Sequence, residues 1–274
     1  MPTTASPASS ILKRSIHFPV RLLNGVKRVA GYVRNPKGEF HCDYQADGLA
    51  VRNKNLSWMR EPAFADAYEA ARVGNRAGWT GFGGNPPDIR WRAHFCCWAA
   101  KHAIGLPGDF AEFGVHTGLL SMTVCKYLDF AKSDKTFFLF DTFAGIPEDR
   151  VDAEDLEIAR YHNDKLFFDC YDITKKNFAP YPNVKLVKGI LPDSFSDVEL
   201  GPLSYVSIDL NNTAAERAVA DRIWDLIVPG GIVVLDDYGF IDYAGQHAMW
   251  DEFTRSKKHA ILSCPTGQGI IVKR

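Results

Sequence analysis

From residue 109 onward, short apolar runs alternate with helix-length crossovers, and this alternation restricts the fold more than any other feature of the chain. The runs span 110–114, 136–141, 184–188, 203–208 and 231–236. They are nearly continuous in apolar residues, the pattern of strands covered on both faces. Helical periodicity fits 118–131, 213–227 and 246–257. Strands alternating with crossovers predict an α/β fold, a parallel sheet with helices on both sides. The end of the chain departs from this. Runs at 259–263 and 268–273 flank a turn of Pro265, Thr266 and Gly267. That predicts a hairpin, hence an antiparallel closure of a mostly parallel sheet.

Residues 39–107 read as a helical cap, with helices at 56–75 and 90–105 around a breaker-rich loop at 79–89. Residues 108–274 are then the main domain, and 1–38 a basic arm. The arm holds seven Lys or Arg up to Lys37 and no acid, leaving 25 basic against 33 acidic side chains beyond it. Residues 1–10, rich in Ser, Thr and Pro, have the composition of a disordered segment. Residues 11–33 mix apolar and basic side chains, interrupted by Pro19. Two readings fit: peripheral contact with an anionic membrane surface, or docking on the chain's own body or a partner subunit. The whole chain has a net charge of −1, so no nucleic-acid partner is expected. Six scattered cysteines with no Cys-x-x-Cys pair predict reduced thiols and a cytoplasmic address. No apolar stretch approaches the roughly 18–20 residues of a membrane span.

Three motifs stand at predicted strand ends, where ligands bind in open α/β sheets. The first is Glu112-Phe113-Gly114-Val115-His116-Thr117-Gly118, between a strand and a helix. A glycine loop there lets a cofactor approach the backbone and the following helix N-terminus. Its spacing is not the Gly-x-Gly-x-x-Gly of pyrophosphate binding. The second is Asp141, ending the run 137–140 and followed by Thr142. An acid at that place suits a ribose diol; the alternative is a turn aspartate.

The third motif pairs two strands. The run 205–208 ends in Asp209, and the run 232–235 ends in Asp236 and Asp237. Neighbouring parallel strands lie about 4.8 Å apart, so three carboxylates converge. Unpaired, they raise one another's pKa; a hard divalent cation relieves this, and oxygen ligands suit Mg²⁺, Ca²⁺ or Mn²⁺. Thr213 and Glu216 fit a capping box for the next helix, and Pro229-Gly230-Gly231 a helix-to-strand turn. Among the histidines, His247 is the first candidate for a general base, beside Asp209.

Taken in order, these residues resemble a known family. The segments 108–115, 139–143, Ile208-Asp209, 229–231, 235–238 and Gly245-Gln246 are similar to the macrocin/mycinamicin O-methyltransferase family, over roughly residues 90–274. The resemblance implies a Rossmann-like methyltransferase fold with a seven-stranded sheet, S-adenosylmethionine as methyl donor, and Mg²⁺ on Asp209, Asp236 and Asp237. It also implies a small-molecule acceptor, a hydroxyl of a sugar, glycoside or related natural product, and a homo-oligomer. One position departs from the pattern. Family members often carry Asp-x-Asp followed by Leu-Tyr, where this chain reads Asp209-Leu210-Asn211-Asn212.

The resulting expectation is a metal-assisted O-methyltransferase. Glu112, Gly114, His116, Gly118, Asp141 and Thr142 hold the cofactor, Asp209, Asp236 and Asp237 the metal, and His247 or Asp209 takes the proton. The long crossover 147–183, with its aromatic residues, is expected to contain a helix and a lid. Two rivals share the sheet: a nicotinamide-dependent oxidoreductase, which has no use for the Asp236-Asp237 pair, and an inactive binding or assembly subunit.

Overall fold

The computed structural model describes residues 42–82 and 84–274. The basic arm, with its amphipathic stretch 11–33, lies outside the described residues. The chain divides into two units, Met1–Gln45 with Ala50–Lys54, and Ala46–Leu49 with Asn55–Arg274. In the smaller unit the Asp43 amide donates to the Val51 carbonyl at 2.9 Å, and the Lys54 amide to Asp43 Oδ2 at 3.3 Å. Strands β1 (Tyr44–Ala46) and β2 (Leu49–Val51) form a two-stranded sheet. Asp47 and Gly48 connect them, both left-handed at φ +53° and +69°.

The larger unit is built on seven strands: β3 (Asp109–Phe113), β4 (Phe137–Asp141), β5 (Val184–Lys188), β6 (Leu203–Ile208), β7 (Ile227–Leu235), β8 (Leu262–Ser263) and β9 (Gly269–Val272). Their order is β5-β4-β3-β6-β7-β9-β8. The first five are parallel; β9 runs antiparallel to β7, and β8 antiparallel to β9. The expected parallel sheet with an antiparallel C-terminal hairpin is therefore present. The strand order reverses between β3 and β6, so their carboxyl ends open a crevice.

Successive side chains on a strand point to opposite faces, and the core follows that period. Phe110, Phe137, Leu139, Tyr205, Ile232 and Val234 pack on one face with residues of α1 (Pro62–Asn75), α2 (Arg90–Ala103) and α3 (Leu119–Tyr127). Ala111, Phe113, Phe138, Phe140, Val206, Ile208, Val233 and Leu235 pack on the other. Their cover is α6 (Thr213–Ile223) and α7 (Ala244–Ser256), through Val219, Ile223, Trp250 and Phe253. Full burial of each such side chain is worth about 1.5–3 kcal/mol. The crossover 147–183 contains two helices rather than one, α4 (Leu156–Lys165) and α5 (Tyr171–Phe178).

Three local expectations change. The helix expected over 118–131 ends at Tyr127, just before Asp129 turns left-handed at φ +52°. Pro229-Gly230-Gly231 is not a turn ahead of a strand but lies inside β7. Pairing with β6 runs from Leu203–Ile227 directly to Tyr205–Ile232, so the intervening residues bulge out. The backbone polarity of the bulge is met by the last strand's continuation: the Gly230 amide donates to the Lys273 carbonyl and the Lys273 amide to the Gly231 carbonyl, each at 2.8 Å. A proline, lacking an N–H, is tolerated at such a bulge.

The capping box also resolves differently. Asn212, not Thr213, caps α6, its Oδ1 accepting from the Ala215 amide at 3.1 Å. The Thr213 amide donates instead to Asp155 Oδ2 at 2.8 Å. Glu216 turns inward and accepts from Trp250 Nε1 at 2.6 Å. This buried bond ties α6 to α7. Burial is the main reason the Glu216 carboxyl is pushed up to about 8. Replacing Glu216 by Ala orphans the indole N–H and is expected to lower stability by about 1–3 kcal/mol. Glu216→Gln keeps an acceptor and loses less. A carboxyl raised in the folded state contributes stability at low pH that is lost as pH climbs toward about 8. Relative to the wild type, Glu216→Gln should therefore gain stability from pH 5 to pH 8 in urea titrations.

Candidate active site

The carboxyl ends of β3, β4 and β6 meet because backbone holds them there. The Gly114 amide donates to the Phe140 carbonyl at 2.9 Å, and the Asp209 amide to the Phe113 carbonyl at 2.8 Å. The Asp236 amide donates to the Ile208 carbonyl at 2.9 Å, which brings the end of β7 to the same edge. Gly114 sits at φ +87°, and a Cβ there would lie 2.6 Å from the Asp209 carbonyl carbon and closer still to its oxygen. Gly118, at φ +88°, starts α3, and a Cβ on it would lie 2.7 Å from Phe178 Cζ. Both glycines thus have packing reasons of their own, before any ligand is considered.

Asp141 anchors the glycine loop. Its Oδ2 accepts from the Val115 amide at 2.6 Å and the His116 amide at 2.7 Å, and its Oδ1 from the Phe143 amide at 2.6 Å. A carboxylate offers about four acceptor positions, so about one remains for a ligand hydroxyl. Thr142 donates to the Gly145 carbonyl at 2.5 Å and accepts from the Ala144 amide at 3.2 Å, shaping the next turn. His116 is left-handed at φ +51°. Thr174 Oγ1 donates to its carbonyl at 2.8 Å. Its ring meets Trp79, Phe167 and Phe168 edge-on at 5.5–5.7 Å. Its Nε2 is buried without a partner, and burial lowers the imidazole pKa below its usual value.

Two adjoining cavities follow. One of about 660 Å³ runs past the ends of β4, β5 and β6, along Asp141–Pro147 positions, Gly189 to Leu191, and Asp209 to Asn212. Another of about 780 Å³ is lined by Asp47, Trp79, Arg92, Glu112 and Asp236, among others. Gly114, His116, Asp141, Phe167, Asp209 and Asn211 line both. The loop residues Glu112, Gly114, His116, Asp141, Thr142 and the acids Asp209 and Asp236 therefore belong to one site. Gly118 lines neither cavity.

The acids converge as the strand ends predict. One carboxylate oxygen from each of Asp209, Asp236 and Asp237 lies within 4.8 Å of the others. Burial first, then Asp236 and Asp237, hold the Asp209 carboxyl well above the usual carboxylate range. Burial first, then Asp236, does the same to Asp237. Asp237 Oδ2 is buried with no hydrogen-bond partner. Asn211, left-handed at φ +52°, donates from Nδ2 to Asp209 Oδ1 at 2.9 Å and accepts from the Tyr243 hydroxyl. Glu112, on the same sheet face as Phe110, is buried; its Oε2 has no partner, and burial, then Asp209, raise its pKa well above normal.

His247 is not brought to this cluster. It lines neither cavity. Its Nδ1 lies 2.8 Å from the Tyr238 carbonyl, its ring stacks on Tyr238 at 4.4 Å, and its Nε2 faces Asp251 at 3.8 Å. Residues absent from the sequence-based set are present instead. Arg92 forks onto Asp47, Nε to Oδ2 and Nη2 to Oδ1, both at 2.7 Å, and its Nη1 reaches Asp236 Oδ2 at 2.5 Å. Gln268 Nε2 donates to Asp236 Oδ1 at 2.9 Å. Signals for these existed. Asp47-Gly48 is a favoured hairpin dipeptide, and Arg92 stands one turn before the fully buried Cys96 on α2.

Residues 94–262 match the family model described as macrocin O-methyltransferase (TylF), which is more than half of the chain. The chain belongs to this family. It is accordingly an O-methyltransferase, and the nicotinamide-dependent alternative falls away. Among solved structures, its fold resembles that of the O-methyltransferase NovP, at 19% identity and a TM-score of 0.60, over 75% of this chain and 88% of that one. CalS11, a calicheamicin methyltransferase, aligns at 16% identity and a TM-score of 0.48, over 66% and 78% of the two chains. The Podospora anserina methyltransferase PaMTH1 aligns at 13% identity and 0.47, over 92% and 96%. At 19% identity the likeness to NovP is one of fold. No curated protein matches the sequence. Among the described residues, no helix is long and apolar enough to cross a membrane.

Proposed function

We propose that this member of the macrocin O-methyltransferase family transfers the methyl group of S-adenosylmethionine to a hydroxyl of a sugar, glycoside or related natural product, with a divalent cation on Asp209, Asp236 and Asp237. The observation that carries the cation is the convergence of three carboxylates, one with a buried, unpartnered oxygen, beside a cavity that Asp141 also lines. An all-carboxylate set is the donor chemistry of a hard cation such as Mg²⁺. A cation bound there supplies Lewis acidity, favouring the alkoxide form of the acceptor. S-adenosylmethionine supplies an electrophilic methyl on a sulfonium.

Transfer makes an O–CH₃ bond, breaks the S–CH₃ bond and releases the hydroxyl proton. The residues of the chain bind, orient and accept that proton. Asp141 fixes the glycine loop and keeps about one acceptor position for a ribose hydroxyl. Phe143, Ile146, Phe167, Phe168, Ile190 and Leu191 give the first cavity the apolar lining a nucleobase needs. Asp209 lies where the two cavities join, and is the proton acceptor in this reading; Asn211 orients it and carries no exchangeable carboxyl proton. Aligning two reactants in one site is itself worth several kcal/mol, with an upper range of about 7–11.

Calorimetric titration with S-adenosylmethionine, followed by methyl transfer to a panel of glycosides with Mg²⁺ and with chelator, tests this. No S-adenosylmethionine binding under any condition would sink it. Asp141→Ala is expected to weaken S-adenosylmethionine binding at least tenfold and to lower the melting temperature at the same time. Three backbone N–H groups lose a charged acceptor, and each such bond is worth about 1.5–3 kcal/mol. Unchanged affinity in that variant would remove Asp141 from the cofactor site.

A further inference from the structure

Asp236 is the one acid of the cluster with both oxygens held by protein donors. Gln268 takes Oδ1 and Arg92 takes Oδ2. Gln268 is itself fixed: it is fully buried, and Thr266 Oγ1 lies 3.0 Å from its Oε1. Arg92 is fixed from the opposite side by the two-toothed bond to Asp47, and its guanidinium lies over the Phe240 ring at 4.7 Å. The side chains of Arg92, Asp47 and Asp236 are 16%, 14% and 4% exposed, so this is a largely buried chain of contacts. A planar guanidinium fork imposes direction as well as charge.

Asp47 and Arg92 lie before residue 94, where the family match begins. Both residues also line the cavity that contains Asp209 and Asp236. We propose that Asp47 and Arg92 form a positioning strut that fixes the Asp236 carboxylate in the orientation in which it, Asp209 and Asp237 bind a divalent cation. The turn at Asp47-Gly48 thereby becomes a working part of the metal centre, 189 positions away from the ligand it serves. Partners that orient a metal ligand from behind typically change affinity 10–100-fold when removed. The inference rests on the cation reading above.

Two variants separate positioning from charge. Asp47→Asn keeps the turn, since Asn-Gly is as favoured there as Asp-Gly, but halves the fork. Arg92→Lys keeps the positive charge and loses the planar geometry. The measurement is Mn²⁺ affinity, and the electron paramagnetic resonance spectrum of bound Mn²⁺, on the full chain without acceptor. Both variants are expected to bind Mn²⁺ roughly tenfold or more weakly, with an altered spectrum and with S-adenosylmethionine affinity kept. Wild-type affinity in Arg92→Lys would overturn the strut even if Asp47→Asn binds more weakly, because a charge effect would then suffice. Should Arg92→Lys fail to fold, the Asp47→Asn spectrum decides: an unchanged spectrum overturns positioning. A wild-type protein that binds no Mn²⁺ overturns the cation reading and the strut together.

Discussion

Gly114→Ala should yield a protein destabilised by about 2–5 kcal/mol. A left-handed backbone costs a residue with a Cβ about 1–2 kcal/mol, and overpacking adds typically 1–3 more. Here the added methyl meets the Asp209 main chain, 2.6 Å from the carbonyl carbon, rather than a side chain that can rotate away. The two backbones it forces apart are β3 and β6, whose separation sets where Asp209 sits. The melting temperature is therefore expected to fall by on the order of 10 °C, and methyl transfer to be lost in whatever folds. Gly105→Ala is the control, since its Cβ would meet nothing within 4 Å. A Gly114→Ala protein with wild-type melting and activity would mean that β3 and β6 do not approach as described.

Stripping divalent metal should reduce methyl transfer to background, and Asp209→Asn should reduce kcat/KM by about 10²–10³ even with Mg²⁺ restored, the scale of losing one preorganised electrostatic contact. The metal-free cluster also predicts a pH signature. Asp209 and Asp237 are raised by burial and by the neighbouring acids. Raised folded-state pKa values mean stability that is full at low pH and lost as pH rises above the ordinary carboxylate range. A bound dication reverses this by binding the ionised forms. The melting temperature gained on adding Mg²⁺ to chelated protein should thus be larger at pH 8 than at pH 5. A full transfer rate in metal-free protein would leave the acids as a hydrogen-bonded cluster and remove the cation from the mechanism.

The sheet was readable because its signal is local. Nearly unbroken apolar runs such as 137–140 and 205–208 can be buried on both faces only in a covered sheet, and the acids at their ends mark one edge. The convergence of Asp209 with Asp236 and Asp237 followed from two strands being neighbours. Elsewhere a local pattern competed with tertiary partners and lost. Thr213 and Glu216 fit a capping box, but Trp250 on another helix claims Glu216, and Asn212 takes the cap. Pro229-Gly230-Gly231 has the composition of a turn, yet the last strand supplies it with ladder bonds. His247 is close to Asp237 in sequence, but α7 leads it to Tyr238 and Asp251 instead.

The sequence by itself determined the α/β class, the antiparallel closure, the family and the edge at which the acids gather. The class, the closure and the edge depend on periodicity or on neighbours in chain order, and the family on the resemblance carried by the strand-end motifs. Only the tertiary structure decided that Gly114 packs on the Asp209 main chain, that Asp141 ties down the glycine loop, and that Arg92 links Asp47 to Asp236. Those contacts join positions 25 to 144 residues apart. No local propensity encodes which distant carboxylate a guanidinium or an amide will meet; that is set by how the sheet brings its strand ends together.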